Sequence, residues 1–147
     1  MARDPQEIHR TLRSRLICGE QIRCVTPLSA GYSNETYLLE GPDLILRVAP
    51  AGVPLIPVAF DVSRQFDVFA VLGTTPGAPP VPRVLYNEPD TSVLGGAFFL
   101  MDRMKGIPFS DWEAADWALK ESAGFRASLS EQAVRAIANL HGMSPLE

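Results

Sequence analysis

Apolar residues recur at Ile8, Leu12 and Leu16, a spacing that predicts a helix ending near Cys18. Asp4-Pro5 followed by Glu7 supplies its start, with aspartate as cap and proline in the first helical position. The pattern then turns strand-like. Gln21 to Leu28 reads as one strand, and Tyr32 to Glu40 and Asp43 to Ala49 as two more, joined by the turn residues Gly41-Pro42-Asp43. A helix is expected from Asp61 to Leu72, with Val62, Phe66 and Phe69 on one face and Gly73 at its end. Two short strands follow, near Arg83 to Glu88 and Ala97 to Arg103. Beyond Gly106 only helices are predicted: Asp111 to Glu121, and a second opening on a Ser128/Glu131 capping box, with Leu129, Ala133, Ile137 and Leu140 along one face.

Five strands with one helix inserted after the third form an α+β fold, an antiparallel sheet covered on one face. The composition shift at Gly106 to Ser110 divides the chain into an N-terminal helix (1–19), a mainly strand region (20–106) and a helical region (107–147). The 147 residues, 46% hydrophobic and 20% charged, suit a globular domain. A net charge of −4 argues against a nucleic-acid binder, and Arg10, Arg13 and Arg15 read as a solvated helix face. The opening residues lack the apolar core of a signal peptide, and no apolar run approaches membrane-spanning length. Cys18 and Cys24 lack zinc spacing and are expected as free thiols in a reducing cytoplasm.

Two places invite chemistry. In Leu28-Ser29-Ala30-Gly31-Tyr32-Ser33-Asn34, a glycine with short polar neighbours is able to wrap phosphate oxygens, although alone it reads first as a plain hairpin turn. Arg47 lies in the apolar strand Leu44-Ile45-Leu46-Arg47-Val48. It is either a phosphate ligand facing a cleft or an exposed strand arginine. Asp111, Glu113, Asp116 and Glu121 have mixed spacing and read as a solvated helix face.

Taken in order, Gly31-Tyr32-Ser33-Asn34-Glu35-Thr36-Tyr37, Leu44-Ile45-Leu46-Arg47, Ser63-Arg64-Gln65-Phe66-Asp67-Val68, Val81-Pro82-Arg83-Val84-Leu85 and Phe98-Phe99-Leu100-Met101-Asp102-Arg103-Met104-Lys105-Gly106 resemble the amino-terminal lobe of the aminoglycoside phosphotransferase and choline kinase-like superfamily. The likeness is greatest to the branch also found fused to acyl-CoA dehydrogenases. It implies a protein kinase-like lobe that binds ATP, with magnesium bridging the phosphates, and a complete enzyme that phosphorylates a small-molecule hydroxyl. Gly31, Ser33 and Asn34 would cover the phosphates, and Arg47 would stand where relatives carry a lysine that touches them. Met101 to Met104 would form the hinge, with backbone groups of Asp102 and Met104 facing the adenine edge, while the Met101 and Met104 side chains read first as core fillers.

Three departures accompany the likeness. Gln65 replaces the usual glutamate partner of the strand cation and is expected to accept a hydrogen bond from Arg47. Ala30 replaces the first of two glycines. Leu140-His141-Gly142-Met143 puts a methionine where the catalytic loop needs its base aspartate, so His141 reads as a helix-end residue and the chain alone as inactive. On this reading the second lobe is incomplete. The underside from Phe98 to Met104 and the apolar faces of the later helices lose cover, which favours a homodimer. The rival expectation is a free-standing, non-catalytic lobe that binds nucleotide weakly or meets a protein partner.

Overall fold

A computed structural model describes residues 3–28, 34–50, 61–106 and 116–143, apart from the side chains of 116 and 117. Helix α1 spans Pro5–Arg15, and the Asp4 carboxylate accepts from the Gln6 amide at 3.0 Å, as its sequence predicts. Ile8 and Leu12, one turn apart, are almost fully buried. A 3-10 turn over Gly19–Gln21 leads into strand β1, Cys24–Pro27. Strands β2 (Glu35–Glu40) and β3 (Leu44–Val48) form a hairpin in which Leu39 faces Leu44. Its turn presses on the 3-10 segment: Gly41 has φ +113°, and a Cβ there would lie 1.9 Å from the Gln21 carbonyl oxygen. No other residue type fits that contact.

Helix α2 covers Val62–Leu72 behind the Asp61 cap, whose carboxylate accepts from the Arg64 amide at 3.0 Å. Gly73 ends it in right-handed geometry, so the left-handed freedom of glycine is not used. Strands β4 (Val84–Glu88) and β5 (Phe98–Asp102) complete a five-stranded antiparallel sheet of order β1-β2-β3-β5-β4.

The expected α+β architecture is present, but the sheet is covered on both faces, not one. Against α1 lie Val25, Tyr37, Leu39, Leu46, Val48, Phe98 and Leu100; on the α2 side lie Ile45, Phe99 and Met101 with Phe66 and Phe69. The signal was the unbroken apolar run of Leu44 to Leu46 and of Phe98 to Met101, which marks strands buried on both sides. For the same reason Phe98 to Met101 do not form the exposed underside expected of them, none being more than 9% exposed.

Helix α3 spans Asp116–Lys120 and α4 spans Ala123–His141. The capping box expected at Ser128 lies inside α4. Ser122 caps instead, its hydroxyl accepting from the Phe125 amide at 3.1 Å, and Glu131 pairs with Arg135 at 2.6 Å one turn on. Once Ser122 has satisfied the first turn, nothing interrupts the helix before Gly142. No residue of α4 is buried; Val134 and Ile137 are 66% and 55% exposed. Among the described residues no helix is long and apolar enough to cross a membrane. Both cysteines are free thiols.

Candidate functional site

Arg47 sits in the middle of the sheet, opposite Thr36 of β2 and Phe99 of β5. Strand alternation places it with Ile45 on the face that α2 covers. It is therefore on the α2-covered face and not on an outer, solvated one. The side chain is partly buried, and its Nε is wholly buried with no hydrogen-bond partner among the described residues. Burial pushes its pKa down from the ordinary arginine value. Arginine nevertheless keeps its charge, so a partly desolvated cation whose Nε has no partner among the described residues remains on the α2 face of the sheet. An anion able to accept from its guanidinium relieves the cost.

Asn34, the residue before β2, is 4% exposed. Its Nδ2 donates to Oε1 of Gln65 on α2 at 3.4 Å, while its Oδ1 is buried without a donor among the described residues. Gln65 thus joins the foot of the preceding bend to α2 and makes no hydrogen bond to Arg47, contrary to the sequence expectation. A neutral amide has no charge to draw it to the guanidinium, and Asn34 lies within reach. Gly31 and Ser33 fall outside the described residues. Two buried polar atoms thus lack a partner among the described residues: a donor on Arg47, opposite Thr36, and an acceptor on Asn34, two residues before Thr36 in the chain.

The expected hinge divides. Met101 is buried with Ile45 and Phe99. The Asp102 amide donates to the Arg83 carbonyl at 2.9 Å and is engaged by the sheet, while its carboxylate accepts from Arg83 Nε at 3.0 Å. Arg103 reaches Asp43 at 3.1 Å, tying the end of β5 to the β2–β3 turn. Met104, two residues past β5, is 56% exposed and makes no backbone hydrogen bond to a described residue. His141 is the last residue of α4. Among the described residues no group of three or more His, Cys, Asp or Glu side chains could hold a metal ion.

Sequence reasoning passed over Glu35, next to Asn34, whose carboxylate is held by Arg3 and by Tyr37. The i, i+2 spacing of Glu35 and Tyr37 on one strand face was the available signal.

The sequence model of the phosphotransferase enzyme family (APH) matches residues 25–147. Acyl-CoA dehydrogenase family member 10 of Mus musculus is 37% identical over 83 residues, covering 55% of this chain and 8% of that protein. Acyl-CoA dehydrogenase family member 11 of Gallus gallus is 34% identical over 119 residues, covering 80% and 14%. The chain thus spans about a seventh or less of these relatives. A crystal structure of a candidate aminoglycoside phosphotransferase from Ralstonia eutropha superposes with a TM-score of 0.64 at 22% identity, over 92% of this chain and 38% of that one. It shares the fold described above.

Proposed function

The chain belongs to the phosphotransferase enzyme family, and we propose that it supplies the ATP-covering portion of an enzyme that phosphorylates a hydroxyl of a small molecule. The observation that carries this is Arg47: a partly desolvated cation on the α2-covered face of β3, its Nε without a partner among the described residues. Such a group grips phosphate oxygens through its planar N–H fork. Asn34 would add its side chain at the foot of the bend formed with Gly31 and Ser33. Met101, Asp102 and Met104 would border the base, with the backbone of Met104 open to it. Magnesium would arrive with the phosphates and supply charge neutralisation there; this chain's own part is to hold and orient the phosphate tail. The setting is cytoplasmic, in keeping with two free thiols.

In this reading residues 20–106 form the nucleotide lobe and 107–147 open the second lobe. On this reading the chain by itself does not turn over, because Leu140-His141-Gly142-Met143 is a helix end and not the catalytic loop with its base aspartate and metal-binding asparagine. Calorimetric titration with MgATP and with adenosine tests the proposal. The wild-type chain should bind MgATP, and Arg47→Met should weaken that binding by about tenfold or more while leaving adenosine affinity unchanged. Equal loss for both ligands would refute the phosphate role. A second reading, a non-catalytic lobe that meets a partner or a second copy through α4, is favoured by exposed Val134, Ile137 and Leu140. Sedimentation as a function of concentration separates the two.

A further inference from the structure

We propose that Arg3, ahead of the region matched by the family, is a positioning residue that fixes the foot of the nucleotide-covering bend by clasping Glu35. The assignment rests on the nucleotide reading above for its purpose, and on independent geometry for its existence.

Glu35 opens β2, directly after Asn34 and opposite Val48 of β3. Its carboxylate is surrounded. The Arg3 amide donates to Oε2 at 3.1 Å, the Tyr37 hydroxyl donates to the same oxygen at 2.6 Å, and Arg3 Nη1 lies 2.8 Å from Oε1. That last contact is off the hydrogen-bond direction and is an ion pair only. The remaining N–H groups of Arg3 reach across the sheet end to the β4–β5 connection, with Nε on the Leu94 carbonyl at 2.5 Å and Nη2 on that of Gly95 at 3.0 Å. The two side chains are 12% and 17% exposed. One guanidinium thus holds the start of β2 to the β4–β5 connection, whose contacts lie 91 and 92 positions from Arg3 in the chain.

Strand alternation gives the clasp its meaning. Asn34 reaches Gln65 on the α2 side, whereas Glu35 belongs with Tyr37 and Leu39 on the α1 side. The foot of the bend is held from both faces by consecutive residues. Gly96 makes room for the clasp, since a Cβ there would meet Arg3 Nη2 at 2.7 Å and the Ala49 carbonyl at 2.8 Å. Burial alone would raise the Glu35 pKa, yet the bonds from Tyr37 and Arg3 outweigh it and hold it below the usual range. A pre-organised start of β2 holds Asn34 in place before phosphate arrives, which lowers the cost of binding.

The test is amide hydrogen exchange followed by mass spectrometry on the whole chain, with MgATP affinity as the second readout. Arg3→Met keeps the length of the side chain and removes its charge. It should speed exchange at residues 34–37 by about tenfold while β5 keeps its protection. It should also weaken MgATP binding by roughly tenfold. Arg3→Lys, which can still pair with Glu35, should recover part of both effects. In Glu35→Gln, adding Arg3→Met should bring little further change, because the two act as one unit. Exchange at 34–37 equal to wild type, or accelerated uniformly over the sheet, would overturn the proposal. Local exchange with unchanged MgATP affinity would overturn the positioning role. A wild-type chain that binds no MgATP would overturn the nucleotide reading and the purpose given to the clasp.

Discussion

Replacing Arg47 by methionine should make the chain more stable while removing its hold on phosphate. The side chains have similar reach, and Met fills irregular apolar space readily. Around Arg47 the α2 face is apolar, formed by Ile45, Phe99 and Phe66, and no carboxylate among the described residues pairs with it. Its buried Nε has no partner among the described residues, a condition that costs about 1–3 kcal/mol. Arg47→Met removes that cost and adds apolar burial, so a gain of about 1–2 kcal/mol is expected once part is discounted for the exposed end of the guanidinium. In a domain of this size the gain raises Tm by about 2–8 °C. Urea unfolding without nucleotide should show a higher midpoint at unchanged slope, and added phosphate should narrow the difference by stabilising only the wild type. A loss of 1 kcal/mol or more would refute the reasoning, because it would mean that the cation is already compensated.

Two further outcomes follow from the packing. Phe99 is fully buried and meets the rings of Phe66 and Phe69 edge-on at 6.0 and 6.3 Å, so Phe99→Ala should cost about 3–5 kcal/mol by urea unfolding; a cost under 1 kcal/mol would contradict the two-sided core. Stability should also fall at both ends of the pH range. Glu35 titrates below its ordinary value in the fold, so its contribution is complete above the unfolded pKa and is lost as pH falls through the folded one. Tyr37 is pushed up to about 12 by burial and by its bond to Glu35, so its contribution is complete below 10.0 and is lost as pH rises toward the folded value. The alkaline loss should shrink in Tyr37→Phe, as unfolding curves across pH will show; Tyr86, also raised by its bond to Glu88, keeps its own share.

Much of the fold was legible because its signals are local. The Asp4 cap, the Gly41-Pro42-Asp43 turn, the α2 helix and all five strands are written within a few residues of themselves, and each lies where periodicity put it to within a few positions. The choice of Arg47 as a candidate came from one charge in an apolar strand, which any buried cation would raise. The start of α4 was misplaced because Ser128 with Glu131 satisfies the capping-box pattern, whereas Ser122, with Phe125 three positions on, caps the helix without that signature. What sequence could not decide was which distant groups meet. The adjacency of β3 and β5, the turn of Gln65 toward Asn34 across 31 positions, and the grip of Arg3 on Glu35 across 32 depend on how two helices pack on opposite faces of one sheet. Short-range preferences fix what each segment becomes. Partnership between far segments is set by burial, which leaves a polar group only the partners that the packed chain brings within 3 to 4 Å.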